Sequence, residues 1–176
     1  RELLVAGVNE PTAWPDDATF HSAWRSNNCY TLARGGRLTL ILSKIEFAMR
    51  TSKSENMPLP KNMTVEHIMP QSWEAHWPLP DGRTAAARLN RLFSQDRDAS
   101  ADYRDSVIHT IGNLTLLTTS LNPSIGNAGY EEKRQEILKH SELALNRYFH
   151  DIDRDVWNED KIAKRADNLF SFAVKV

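Results

Sequence analysis

"VEHIMPQSW", residues 65–73, sets an acidic residue beside a histidine, with a proline three positions further on. The residues before it continue the alternation, so 63–69 reads as a short strand that Pro70 cuts off. Glu66–His67 is then either an ordinary strand end or half of a reactive centre, and its partner must lie elsewhere. "IGNLTLLTTS", 111–120, is the second strand candidate, with Gly112 and Asn113 at its opening. "NPSIGNAG", 122–129, is loop chemistry, and "YEEKRQEILKH", 130–140, is helical. Strand, long connection, strand, helix is a ββα order.

Outward from this centre the chain reads as helices. A short one is expected over 20–30, carrying Trp24. Leu38, Ile41, Leu42, Ile45 and Met49 recur at helical spacing and form one apolar stripe. Residues 52–62 are polar, hold two prolines and read as a loop. Between Gln71 and His109 lies a mixed segment with one helix expected over 83–93. "SELALNRYFH" starts a further helix with Ser141 as N-cap. Ile162, Ala166, Leu169, Phe170 and Ala173 form a last apolar face behind an Asn158 cap. The expected fold is mainly α with a small central ββα element, an α+β domain. A single domain over 1–176 is expected: a helical part at 1–62, a core at 63–140 with an inserted segment at 72–109, and closing helices at 141–176.

Composition narrows the function classes. At 176 residues, 40% hydrophobic and 26% charged, the chain suits one globular domain. The formal net charge of −1 gives no global basic field, so nucleic-acid binding would need local patches. Cys29 is the only cysteine, which excludes a disulfide framework and a cysteine-rich zinc site; a buried, inert thiol is the default reading for it. No apolar run reaches the ~20 residues of a membrane span and no signal-peptide pattern opens the chain. The expectation is a soluble cytoplasmic domain with no membrane partner. Arg1 in place of a methionine reads as the start of a fragment.

Glu66, His67, Asn113 and Asn122 are the polar residues that the ββα order gathers. A hard divalent cation accepts a carboxylate and an amide oxygen and keeps several waters, so Glu66 and Asn122 suit an open metal site. A histidine with an ordinary pKa of about 6.5 suits a general base near neutral pH. The reaction implied is phosphodiester hydrolysis. Neighbours in a regular strand point to opposite faces. Glu66 and His67 therefore serve one site only at a strand end or a distortion, and Pro70 favours the former.

"TVEHIMPQS", "HTIGNLTLLTTSLNPSIGN" and "YEEKR" together resemble the HNH (His-Me finger) nuclease domain. More narrowly they resemble the C-terminal nuclease domain of GmrSD-type and SspE-type restriction and phage-defence proteins. The resemblance covers most of the chain. It implies His67 as general base and Glu66 as acidic metal ligand. It makes Asn113 the middle Asn of the catalytic set, which braces the hairpin loop and orients the histidine, and Asn122 the second ligand. It also implies Mg²⁺ or Mn²⁺ as cofactor, DNA as substrate, and an N-terminal sensing or nucleotide-hydrolysing domain in the same protein. The chain departs from common HNH forms in lacking paired cysteines, so no structural zinc is expected. It also departs in the 45 residues between His67 and Asn113. A different reading is an inactive DNA-binding or regulatory module on the same core.

Other residues carry competing readings. Lys133 and Arg134, in the helix after the site, are candidates for phosphate contact or members of a solvated face. Asn122, followed by proline, also fits an N-cap. Asn127 is the better cap candidate and a candidate substrate contact. His109, close to Asn113 in sequence, is a candidate to support the site from behind. Arg83, Arg88, Arg91, Arg97 and Arg104 are offset by nearby aspartates, so a neutralised surface is favoured over a DNA-facing edge. The tryptophans are expected chiefly in the core.

Overall fold

Met63–His67 (β1) pairs antiparallel with Leu114–Thr118 (β2), in a register running from Met63↔Thr118 to His67↔Leu114. Directly opposed residues of such a pair share a face. Met63, Val65 and His67 therefore lie on one side with Leu114 and Leu116, and Glu66 lies on the other with Thr115 and Leu117. The first four residues of β2 are buried, so apolar side chains leave the hairpin on both sides. Leu114 and Leu116 join one hydrophobic cluster, with Trp24, Leu42, Ile45 and Leu169. Leu117 joins another, with Met69, Trp73, Trp77, Tyr130, Phe149 and Trp157.

The computed structural model describes residues 15–33, 36–52, 58–83, 99–121, 126–151 and 156–176. Among them the chain forms seven helices and this one two-stranded sheet, a mostly helical α+β fold. The helices are Asp17–Ser26 (α1), Cys29–Leu32 (α2), Arg37–Met49 (α3), Ala99–Val107 (α4), Tyr130–His140 (α5), Ala144–Asp151 (α6) and Glu159–Ala173 (α7). None is long and apolar enough to cross a membrane.

Local chemistry explains most boundaries. The helix expected over 20–30 is two helices, because Asp16 caps α1 through Thr19 N at 2.6 Å and Asn28 caps α2 through Thr31 N at 3.0 Å. Asn158 caps α7 as expected, accepting from Lys161 N. Ser141 is not an N-cap: it closes α5, and its Oγ accepts from Asn146 Nδ2 at 2.7 Å while α6 begins only at Ala144. The helix expected over 83–93 falls, apart from Arg83, outside the described residues. α4 was not expected. Its buried side chains are Ala101 and Arg104, and Arg104 pairs with Glu159 at 2.5 Å while also donating to Trp77 O and Pro78 O.

The strand expected over 111–120 is shorter, since Ile111–Asn113 forms a 3-10 turn before β2. Here a glycine is required by space. A Cβ on Gly112 would overlap the Ile162 carbonyl of α7. The same junction is tied by Arg165, fully buried, which donates to Gly112 O at 2.9 Å and Leu114 O at 2.7 Å. α7 thus fixes the start of β2, opposite His67.

Candidate active site

His67 is the last residue of β1 and only 6% exposed. Its Nε2 lies 3.1 Å from Nδ1 of His109, which follows α4 and is half-buried. Tyr30 of α2 covers both rings: its centroid is 4.8 Å from that of His67 and 5.7 Å from that of His109, the latter pair stacked at 21°. Burial, then the neighbouring His109, then the Lys133 ammonium push the His67 imidazole down to about 3. It is therefore neutral throughout the neutral range, a free but weak proton acceptor. A nearby anion would favour the imidazolium and raise its basicity. His109 is also held below the usual histidine range by burial, with Asp105 opposing the shift. Asp105 itself accepts from Trp73 Nε1 at 2.8 Å.

Glu66 points to the other side of the hairpin. Its Oε1 accepts from Lys133 Nζ at 2.8 Å, and the same ammonium donates to His67 O at 2.7 Å and Gly126 O at 2.9 Å. Lys133 is fully enclosed, and its three bonds use the ammonium's whole donor capacity. Burial raises the Glu66 carboxyl above the ordinary range, and the Lys133 charge works against that rise. The lysine is likewise lowered by burial and supported by Glu66.

Asn113 closes the loop behind His67. Its Oδ1 accepts from Met69 N at 2.9 Å and Trp157 Nε1 at 3.0 Å; its Nδ2 donates to Met69 O at 2.8 Å and Ile108 O at 2.9 Å. Its own carbonyl accepts from Ile68 N at 2.9 Å. A buried amide with both donors and two acceptor positions filled holds one geometry. The two residues after His67 are thereby clamped to the start of β2.

The structure thus brings Glu66, His67, Asn113, His109 and Lys133 to one end of the hairpin. Lys133 and Arg134 do not lie on a solvated helix face: Arg134 is 5% exposed and donates through Nε to Phe149 O at 2.9 Å. Both side chains are committed to the interior. Asn127 is exposed, and the α5 N-cap is Gly129 rather than Asn127. Asn122 lies outside the described residues, as do Arg88, Arg91 and Arg97. Arg83 makes an exposed pair with Asp81, whereas Arg104 is interior. Cys29 is half-buried rather than enclosed, with its thiol pushed up by desolvation. Trp24, Trp73, Trp77 and Trp157 are core residues, as expected. Sequence reasoning did not single out Tyr30, which carries no motif and meets His67 only through the packing of α2.

For a divalent cation the donor chemistry is of the right kind. One carboxylate and two backbone carbonyls, those of His67 and Gly126, converge, and hard ions take such oxygens. The Lys133 ammonium already stands among them. No group of three or more His, Cys, Asp or Glu side chains suited to a metal is found among the described residues. Two cavities, of about 740 and 720 Å³, are lined by other residues: one by apolar side chains of α1, α3 and the end of α7, the other beside Arg50 and Arg147.

No curated protein and no solved structure matches the chain. A family model does match it, over residues 14–172, that of the C-terminal domain of the GmrSD restriction endonucleases. With nearly the whole length matched, the chain belongs to the GmrSD restriction endonuclease C-terminal domain family.

Proposed function

We propose that this chain is an HNH-type endonuclease domain that hydrolyses DNA phosphodiester bonds, one strand at a time, as the effector of a restriction or anti-phage defence protein. The carrying observation is the junction of β1 and β2. A nearly buried histidine ends one strand, and an amide with four bonds clamps its loop to the next. A base that must meet a phosphate at a fixed angle needs such support. Membership of a restriction endonuclease family points the same way.

In this reading His67 takes a proton from water, and Asn113 holds the strand end so that the imidazole keeps its place. Glu66 and Asn122 would hold a Mg²⁺ or Mn²⁺ ion, which when bound stabilises charge on the phosphate and the leaving oxygen. Lys133 fixes Glu66 by one oxygen and brings Gly126, four residues after Asn122, to the same end of the hairpin. Lys133 and Arg134 are turned inward and the net charge is −1, so neither side chain offers a phosphate contact and no global basic field draws DNA to the domain. Target selection is therefore assigned to an N-terminal sensing or nucleotide-hydrolysing domain, with 1–176 acting as one nuclease unit.

The test is relaxation of supercoiled plasmid by the purified domain with Mg²⁺ or Mn²⁺, beside EDTA and a His67→Ala variant. Metal-dependent nicking that disappears in the variant is the expected result. Equal cutting by the variant would remove His67 from the mechanism.

A further inference from the structure

His67 has two ring nitrogens, and the structure treats them differently. Nε2 faces Nδ1 of His109 at 3.1 Å. Nδ1 has no hydrogen-bond partner among the described residues, and it is not one of the fully enclosed, unpartnered polar atoms. One nitrogen is thus taken by the protein and the other is left reachable.

We propose that His109 is the positioning partner of His67, accepting the Nε2 proton so that Nδ1 is the atom that takes the proton from water. This rests on the nuclease reading above. Between two neutral imidazoles only one proton can occupy the shared contact. If His67 donates it, Nδ1 presents a lone pair, as a base must. If His109 donates it, the lone pair of His67 is spent inside the protein and no acceptor faces outward. Only the first arrangement leaves a base.

The surroundings hold His109 in place for this. Its ring is stacked on Tyr30, and it lies within the short segment between α4 and the Ile111–Asn113 turn. Ile108, its neighbour in the chain, gives its carbonyl to Asn113 Nδ2. The amide that clamps the loop after His67 therefore also fixes the backbone that carries His109. When the water's O–H bond breaks, its proton goes to His67 Nδ1 and its oxygen forms the new P–O bond. The P–O bond to the leaving oxygen breaks, and that oxygen is protonated from solvent. The Nε2–H···Nδ1 contact becomes charge-assisted at that moment, so it is stronger in the transition state than before it.

The test uses His109→Phe, which keeps a ring against Tyr30 but cannot accept a proton, and His109→Gln, whose amide oxygen can. Long-range ¹H–¹⁵N spectra of the labelled domain report the His67 tautomer without any need for cutting. The expected result is an Nε2–H tautomer in the wild type and in His109→Gln, and its loss in His109→Phe. Nicking rate should fall about 10–100-fold in His109→Phe, the range for losing a group that orients a reactive histidine, and should recover in large part in His109→Gln. An unchanged tautomer and rate in His109→Phe overturns the proposal, as does equal loss in both variants, which would make His109 a packing residue. Should the wild type not cut at all, the spectra still decide the His109 question while the nuclease reading falls separately.

Discussion

Replacing Lys133 by Met separates the interior role of this lysine from a role at the surface. In the structure the ammonium makes three bonds of 2.7–2.9 Å, to Glu66 Oε1, His67 O and Gly126 O, and has no exposed surface. Met fills nearly the same space, so the loss is one of charge and donors rather than of volume. It strands the Glu66 carboxylate, itself only 8% exposed, together with two carbonyls. Removing one member of a buried ion pair costs about 3–5 kcal/mol. Set against the roughly 5–15 kcal/mol that stabilises a domain of this kind, that is about a fifth of the total or more. Urea unfolding followed by tryptophan fluorescence should show the midpoint falling with the slope unchanged. The double variant Glu66→Gln/Lys133→Met removes the stranded charge and should recover about 1–3 kcal/mol of the loss, a coupling expected of residues in contact. A phosphate-binding lysine on a solvated face would give the opposite pattern, with stability within about 0.5 kcal/mol of wild type and weakened DNA binding. A single-variant loss under about 1 kcal/mol would refute the buried pair.

Gly112→Ala should cost about 1–3 kcal/mol or more, because the atom in the way is the Ile162 backbone carbonyl of α7 and not a movable side-chain tip; the same urea titration reads it, and a neutral result would mean that α7 does not rest on this turn. Stability should also fall in mild acid. His67 is held down to about 3, whereas an unfolded histidine titrates near 6.5, so between these values the unfolded chain binds a proton that the folded one refuses. The histidine's contribution is complete above about pH 6.5 and is lost as pH falls toward 3, on the order of 2 kcal/mol being gone by pH 5. His67→Gln should flatten that slope in unfolding measured at pH 7.5 and pH 5, and parallel pH dependence in both proteins would contradict the burial of the imidazole.

The elements written in apolar periodicity or in local capping were legible in the sequence. α3 and α5 start and end close to where the patterns place them, and β1 stops before Pro70. α4 was not legible, because its inward face consists of Ala101 and a buried Arg104 whose partner Glu159 lies far along the chain. A pattern reading counts that arginine as polar and outward. The same blindness explains Lys133: in "EEKRQE" it looks like one charge among several, and only the fold brings Glu66 to it. Glu66, His67 and Asn113 were singled out through their motif, the fold brings them to one end of the hairpin, and the opposite facing of the first two is what strand alternation requires. Tyr30 was out of reach, because nothing in its neighbours signals that α2 packs over two histidines.

The four bonds of the Asn113 side chain have a consequence for how sequences of this fold can change. Aspartate would keep the acceptors and lose both donors, leucine would lose all four, and glutamine would carry the amide one carbon too far. No single substitution preserves the clamp, so the position is fixed by folding before any demand of chemistry is added. His67 is under no such demand, since its partner contact could be lost without opening the core. On the nuclease reading proposed above, a descendant chain that gave up cutting would discard its histidine early and keep its asparagine. A lost histidine beside a retained asparagine would then mark the branch of a lineage at which cutting ceased.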